Sequence, residues 1–178
     1  MKPVLSINKD ASTIIIRTRA TGMLARLAHD LQLAARFDGS VDEERDDGSG
    51  PWRGELAFRA DDVRVEGVVK NGALDTGVLS SSDIADIEKK LRGDVLPSGL
   101  RVVARGKSRE SAELEVTANN KMQRVTARLR TAQKGAHEGL EGTAMLSLKV
   151  LGIKEIRGPF GAFTVDDAIE VRAFIALQ

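Results

Sequence analysis

Cysteine is absent from this 178-residue chain, and so is tyrosine. Without thiols there can be no disulfides, thiolate nucleophiles, iron–sulfur clusters or cysteine-ligated zinc. One tryptophan and five phenylalanines are the whole aromatic complement. That is too few for the stacking platforms that hold single-stranded nucleic acid or for an aromatic-rich protein interface. An excess of one charge is lacking as well. The 27 basic and 26 acidic residues leave a formal net charge of +1, so no nucleic-acid partner is expected. No run approaches the ~18 apolar residues of a spanning helix, so no transmembrane segment is expected either. The opening Met1-Lys2-Pro3-Val4-Leu5-Ser6 lacks the uninterrupted apolar stretch of a secretory signal. As written, the chain reads as cytoplasmic, and as periplasmic if a signal has been removed.

What is present is period-two alternation. Leu31, Leu33, Ala35 and Phe37 share one phase, against Gln32 and Arg36 on the other. Val125, Ala127 and Leu129 oppose Arg124, Thr126, Arg128 and Arg130. Leu56 and Phe58 oppose Glu55 and Arg59, and Val63 and Val65 oppose Arg64 and Glu66. Ala112, Leu114 and Val116 oppose Glu113, Glu115 and Thr117. Each is a strand with one wet and one dry face. Further strands are predicted over Val4–Asn8, Thr13–Arg19, Arg101–Arg105, Thr143–Val150 and Ala168–Leu177. Short links such as Lys70-Asn71-Gly72, Asn119-Asn120 and Lys134-Gly135 separate them. Short strands with no βαβ helices between them indicate one all-β domain over residues 1–178. The expected architecture is an antiparallel closed β-barrel of about eight strands, since closure removes exposed sheet edges.

Two segments break the pattern. Ser80 to Asp83 leads into Ile84, Ile87 and Leu91, spaced as an amphipathic helix, and Gly93 follows as a stop. Thr21–Ala28, carrying Met23, Leu24 and Leu27, reads as a shorter helix or turn.

Few residues carry chemistry. His29-Asp30 sets a carboxylate beside an imidazole, but strand neighbours point to opposite faces and no nucleophile accompanies them. A polar pair at a junction, placed at the mouth of the barrel, is the plainer reading. His29 and His137 stand far apart and form no metal-ligand spacing, so no metal site is expected. Asp42 to Gly48 is acidic, but Arg45 would fall at a calcium-ligand position, which leaves a solvated hairpin tip. Arg124, Arg128 and Arg130 form a basic stripe whose plain role is to solvate a wet face. No phosphate-binding glycine loop or nucleophile elbow occurs.

The order of three segments resembles the YceI-like family of lipocalin-like, polyisoprenoid-binding barrels. Thr21-Gly22-Met23-Leu24-Ala25-Arg26-Leu27-Ala28-His29-Asp30, followed by Arg36-Phe37-Asp38-Gly39, is similar to the family's early region. The Ser82–Leu96 segment with Leu96-Pro97 and Leu100-Arg101-Val102 looks like its mid-chain helix and strand. Leu151-Gly152-Ile153 and Gly158-Pro159-Phe160-Gly161, within Leu148–Ile175, resemble its terminal region. The resemblance implies a barrel that holds one long isoprenoid chain and carries out no reaction. The dry-face residues then supply the ligand-binding set: Leu31, Leu33, Phe37, Leu56, Phe58, Val63, Val65, Val125, Leu129, Leu146, Leu148, Ile169 and Val171, with Phe160 and Phe163 plugging one end. A quinone or polyprenyl lipid would be cargo, with no cofactor required. Two alternatives stay open: a scaffold with a side-chain-filled lumen that binds a protein partner or forms a homodimer, and an enzyme or sensor acting on an apolar molecule through His29.

Overall fold

The computed structural model describes residues 4–22, 28–43, 50–158 and 163–178. Fourteen strands follow one another with a single α-helix among them: β1 (Val4–Leu5), β2 (Ile7–Arg17), β3 (Ala20–Thr21), β4 (Asp30–Ala35), β5 (Asp38–Glu43), β6 (Trp52–Phe58), β7 (Val63–Lys70), β8 (Ala73–Asp75), α1 (Ser81–Lys90), β9 (Leu100–Ser108), β10 (Ser111–Ala118), β11 (Lys121–Lys134), β12 (His137–Ser147), β13 (Thr164–Val165) and β14 (Ala168–Leu177). Twelve join one antiparallel sheet in the order β1-β5-β6-β9-β10-β11-β12-β14-β2-β4-β7-β8, and β3 pairs with β13 apart from it.

The pairing therefore differs from the expected closed barrel of about eight strands. It is an open, barrel-like sheet, with no ladder joining β1 to β8 among the described residues. The count rises because long extended runs are broken by bends. Ser6 interrupts the run from β1 into β2, Arg36–Phe37 that from β4 into β5, and a 3-10 turn at Ala60–Asp62 that from β6 into β7. The same bends curl the sheet. β1 pairs with β5 while β2 pairs with β4, so strands far apart in the pairing order are consecutive in the chain.

Local chemistry explains the turns. Asn119 and Asn120 have φ of 49° and 59°, the left-handed pair that a two-residue hairpin between Ala118 and Lys121 requires. Asn71 and Gly72 do the same between β7 and β8. At the helix, the Ser80 hydroxyl accepts from the Asp83 amide at 3.1 Å, and the Asp83 carboxylate accepts from the Ser80 amide at 2.9 Å, a reciprocal capping box. The Ser80 hydroxyl and amide hold the Asp83 carboxyl below its ordinary value. Glu88 accepts from the Val65 amide at 3.1 Å, which ties α1 to β7 beside a register shift in the β4–β7 ladder.

Several boundaries move. α1 passes into a π-helical turn, Leu91–Val95, so Gly93 lies inside that turn and does not end the helix. The strand predicted over Thr143–Val150 ends at Ser147. The Ser147 hydroxyl accepts from the Val150 amide and Leu151 N–H bonds back to the Ser147 carbonyl, folding Leu148–Gly152 into a tight turn. Thr21 belongs to β3 and Gly22 and Ala28 are bends, not helix, while residues 23–27 of that predicted element lie outside the described residues. No helix among the described residues is long and apolar enough to cross a membrane.

Candidate ligand cavity inside the curled sheet

The dry faces of these strands do not fill the space between them. They enclose a cavity of about 310 Å³ whose wall is almost wholly aliphatic, within the size range of small-molecule sites. Among the described residues that line it, only Thr18, Lys90 and Thr143 have polar side chains. The Thr18 hydroxyl is occupied, accepting from the Leu31 amide at 3.2 Å. Lys90 contributes from the rim, its ammonium 3.3 Å from Asp94 and half exposed. A hydrocarbon chain is the kind of guest such a wall suits, since no buried polar group would lose a partner on its arrival.

The two ends differ. One is sealed at Trp52, buried at the start of β6, whose indole N–H donates to the Ser108 carbonyl at 2.8 Å. Gly106 faces that ring, and a Cβ there would overlap the indole nitrogen, so glycine keeps the floor in place. Val41, Ala112 and Leu140 pack around it. Nearby, the carboxylate of Glu43, 2% exposed, takes three hydrogen bonds of 2.9 to 3.2 Å from Arg109. The other end is covered by Ile87 of α1, Leu91 and Val95 of the π turn, and Leu151 and Ile153 after β12. From Trp52 to Phe58 along β6, the wall is about 20 Å long at ~3.3 Å per residue.

Ten of the predicted residues line the cavity: Leu31, Leu33, Leu56, Phe58, Val63, Leu129, Leu146, Leu148, Ile169 and Val171. Phe37 and Val65 do not. They are buried in the layer under α1, where the Phe37 ring lies 5.9 Å from that of Phe58. Val125 is half-buried and packs against the cluster around Val116 and Leu146. Phe163 is not among the described lining residues, and its ring lies close to the Gly158 backbone. Phe160 lies outside the described residues. His29 is exposed, and the Asp30 carboxylate accepts from the Ala20 amide at 2.9 Å.

The prediction missed Trp52, Ile14, Val41 and Leu177, and the whole covering set from α1 to Ile156. Ile14 sits in the run Ile14-Ile15-Ile16, where alternation singles out no face, and Val41 shares its phase with Glu43. For Trp52 nothing in its neighbours, Pro51 and Arg53, marks it as a floor. The wet faces behave as read. Arg124 meets Glu115 at 3.4 Å, and Arg130 pairs with Glu141, whose carboxyl it holds below its ordinary value with help from Lys134. In the acidic stretch Asp42 and Glu43 finish β5, and residues 44–48 lie outside the described residues.

The chain is similar in fold to Burkholderia cenocepacia BcnA. The TM-score is 0.64 at 11% sequence identity, covering 97% of this chain and 100% of BcnA. No family model matches, and neither does any curated protein. So low an identity carries the fold alone; the cavity has to be interpreted from its own residues.

Proposed function

We propose that this protein binds and carries one long apolar lipid, of polyisoprenoid type, in the lumen of its curled sheet, which serves as a barrel, and that it performs no reaction on that lipid. The observation that carries the reading is the cavity itself, a closed-floored, aliphatic hollow with three polar side chains among its described lining residues, of which Thr18 is hydrogen-bonded and Lys90 lies at the rim. Transfer of the ligand's apolar surface from water supplies the affinity, at about 25 cal/mol per Å² before the costs of association. The resemblance of three segments to YceI-like proteins favours an isoprenoid over other tails.

The experiment has two parts. Organic extraction of the purified protein, read by mass spectrometry, should release a long-chain lipid in near-stoichiometric amount. Trp52 is the only tryptophan and there is no tyrosine, so emission excited at the indole band reports the cavity floor. A terminally brominated alkyl chain should quench it, while a brominated headgroup analogue with a short tail should not. A lipid-free extract together with an unquenched Trp52 would defeat the proposal.

A further inference from the structure

Four large apolar side chains are exposed among the described residues: Leu74, Met122, Met145 and Val150. Three of them gather beside the covered end of the cavity. Met122 follows the Asn119–Asn120 hairpin, and Val150 sits in the tight turn after β12. Those turns touch. The Asn119 side-chain amide donates to the Leu151 carbonyl at 3.4 Å, and the Gln123 side chain accepts from the Ser147 amide at 3.0 Å. Gly152, at φ 71°, packs against the Lys121 side chain. Met145, two residues before Ser147, extends the patch along β12.

Three lysines stand around this patch, with the Asp167 carboxylate beside one of them. Lys121, Lys149 and Lys154 are all exposed, and none makes an ion pair with a described residue. Of the acidic groups close by, Glu155 and Glu170 are paired with arginines, while Asp167 keeps its charge near Lys149 and is held by neutral donors. Asp167 accepts from the Ser147 hydroxyl and the Lys149 amide, both at 2.7 Å; Glu155 pairs with Arg157 at 2.7 Å, and Glu170 with Arg172 at 2.6 Å. Immediately behind the patch, Leu151 and Ile153 belong to the cavity wall.

Resting on the lipid-carrier reading, we infer that this face docks on an anionic phospholipid bilayer so that cargo passes between membrane and cavity at the covered end. Met122 and Val150 enter the headgroup region and the three lysines meet lipid phosphates, the pairing of apolar side chains with cationic flanks that interfacial binding requires. The patch adjoins Leu151 and Ile153, so a docked molecule presents the covered end of its cavity to the bilayer.

The test is sedimentation with vesicles of phosphatidylcholine alone and of phosphatidylcholine mixed with phosphatidylglycerol. The protein should bind the mixed vesicles, bind neutral ones far less, and dissociate as salt rises. Replacing Lys121, Lys149 and Lys154 by glutamine should lower partitioning by about a hundredfold, about fivefold for each lysine. A control triple outside the patch, Lys9→Gln, Lys107→Gln and Lys134→Gln, changes net charge equally and should leave partitioning within a few-fold. Met122→Ser with Val150→Ser should weaken binding while keeping its salt dependence. Equal loss in the two triples, or equal binding to neutral vesicles, overturns the inference. So does concentration-dependent dimerisation abolished by the serine pair without vesicle binding, since the patch would then cover a second copy. Tail quenching of Trp52 in detergent, measured on the same variants, should stay intact. Its absence in the wild type would instead strike at the carrier reading.

Discussion

Whether the lumen is hollow or packed is tested most directly at Ala112. This residue is 2% exposed, pairs across β10 and β11 with Ala127, and borders the cavity beside Trp52. In a filled core, Ala112→Phe forces neighbours off their rotamers and costs about 1–3 kcal/mol. In a hollow one the ring enters free space, and stability changes by less than about 1 kcal/mol. For a chain of this length each kcal/mol is worth about 2–4 °C in Tm, so the alternatives are separable by urea titration and calorimetry. The same ring occupies the deepest part of the lumen. If it displaces roughly three methylenes of a long tail, at about 0.8 kcal/mol each, the affinity falls by about 2.4 kcal/mol, or about sixtyfold. A tail too short to reach the floor keeps its affinity. A series of alkyl ligands from lauric to stearic, titrated by Trp52 quenching, should therefore show wild-type affinity rising with length and Ala112→Phe levelling off earlier. A strongly destabilised variant whose length profile matches wild type would refute the argument.

Other perturbations reach different parts of the molecule. Arg109→Ala strands the Glu43 carboxylate and should cost about 3 kcal/mol, the low end for a broken buried pair because the Arg109 side chain is 22% exposed. The double variant Glu43→Leu/Arg109→Met should recover most of that by urea denaturation. Ser80→Ala removes the cap of α1, costing about 1 kcal/mol, and should speed release of a fluorescent lipid because α1 covers the cavity. The Asp167 carboxyl is held below its ordinary value, first by the Ser147 hydroxyl and then by the Lys149 amide. Its stabilisation is complete above the ordinary value of about 3.9 and is lost as pH falls through the lowered one. Tm should thus drop more steeply below about pH 4 in wild type than in Asp167→Asn. His29→Ala should leave tail binding unchanged, and any turnover that vanished with it would revive the enzyme reading.

The strands were legible wherever one face is wet and the other dry. Ala112 to Thr117 and Arg124 to Arg130 show it plainly, because a period-two pattern survives without knowledge of the neighbours. The Asn-Asn and Asn-Gly turns were legible for the same local reason, since few other residues accept positive φ. Leu31, Leu56 and Leu129 followed as lining residues from phase alone. Phe37 and Phe163 did not follow, because an inward phase says that a side chain is covered but not by what. Phe37 meets Phe58 beneath α1, and Phe163 lies close to the Gly158 backbone.

Alternation, turn chemistry and the capping box at Ser80 are written in runs of a few residues, and the sequence by itself determined them. Only the tertiary structure decided the bends at Ser6 and Arg36–Phe37, the floor at Trp52, the paired Glu43 and Arg109, and the void between the dry faces. These depend on partners dozens of residues away. A cavity is moreover the space that side chains leave, which no single segment of the chain encodes.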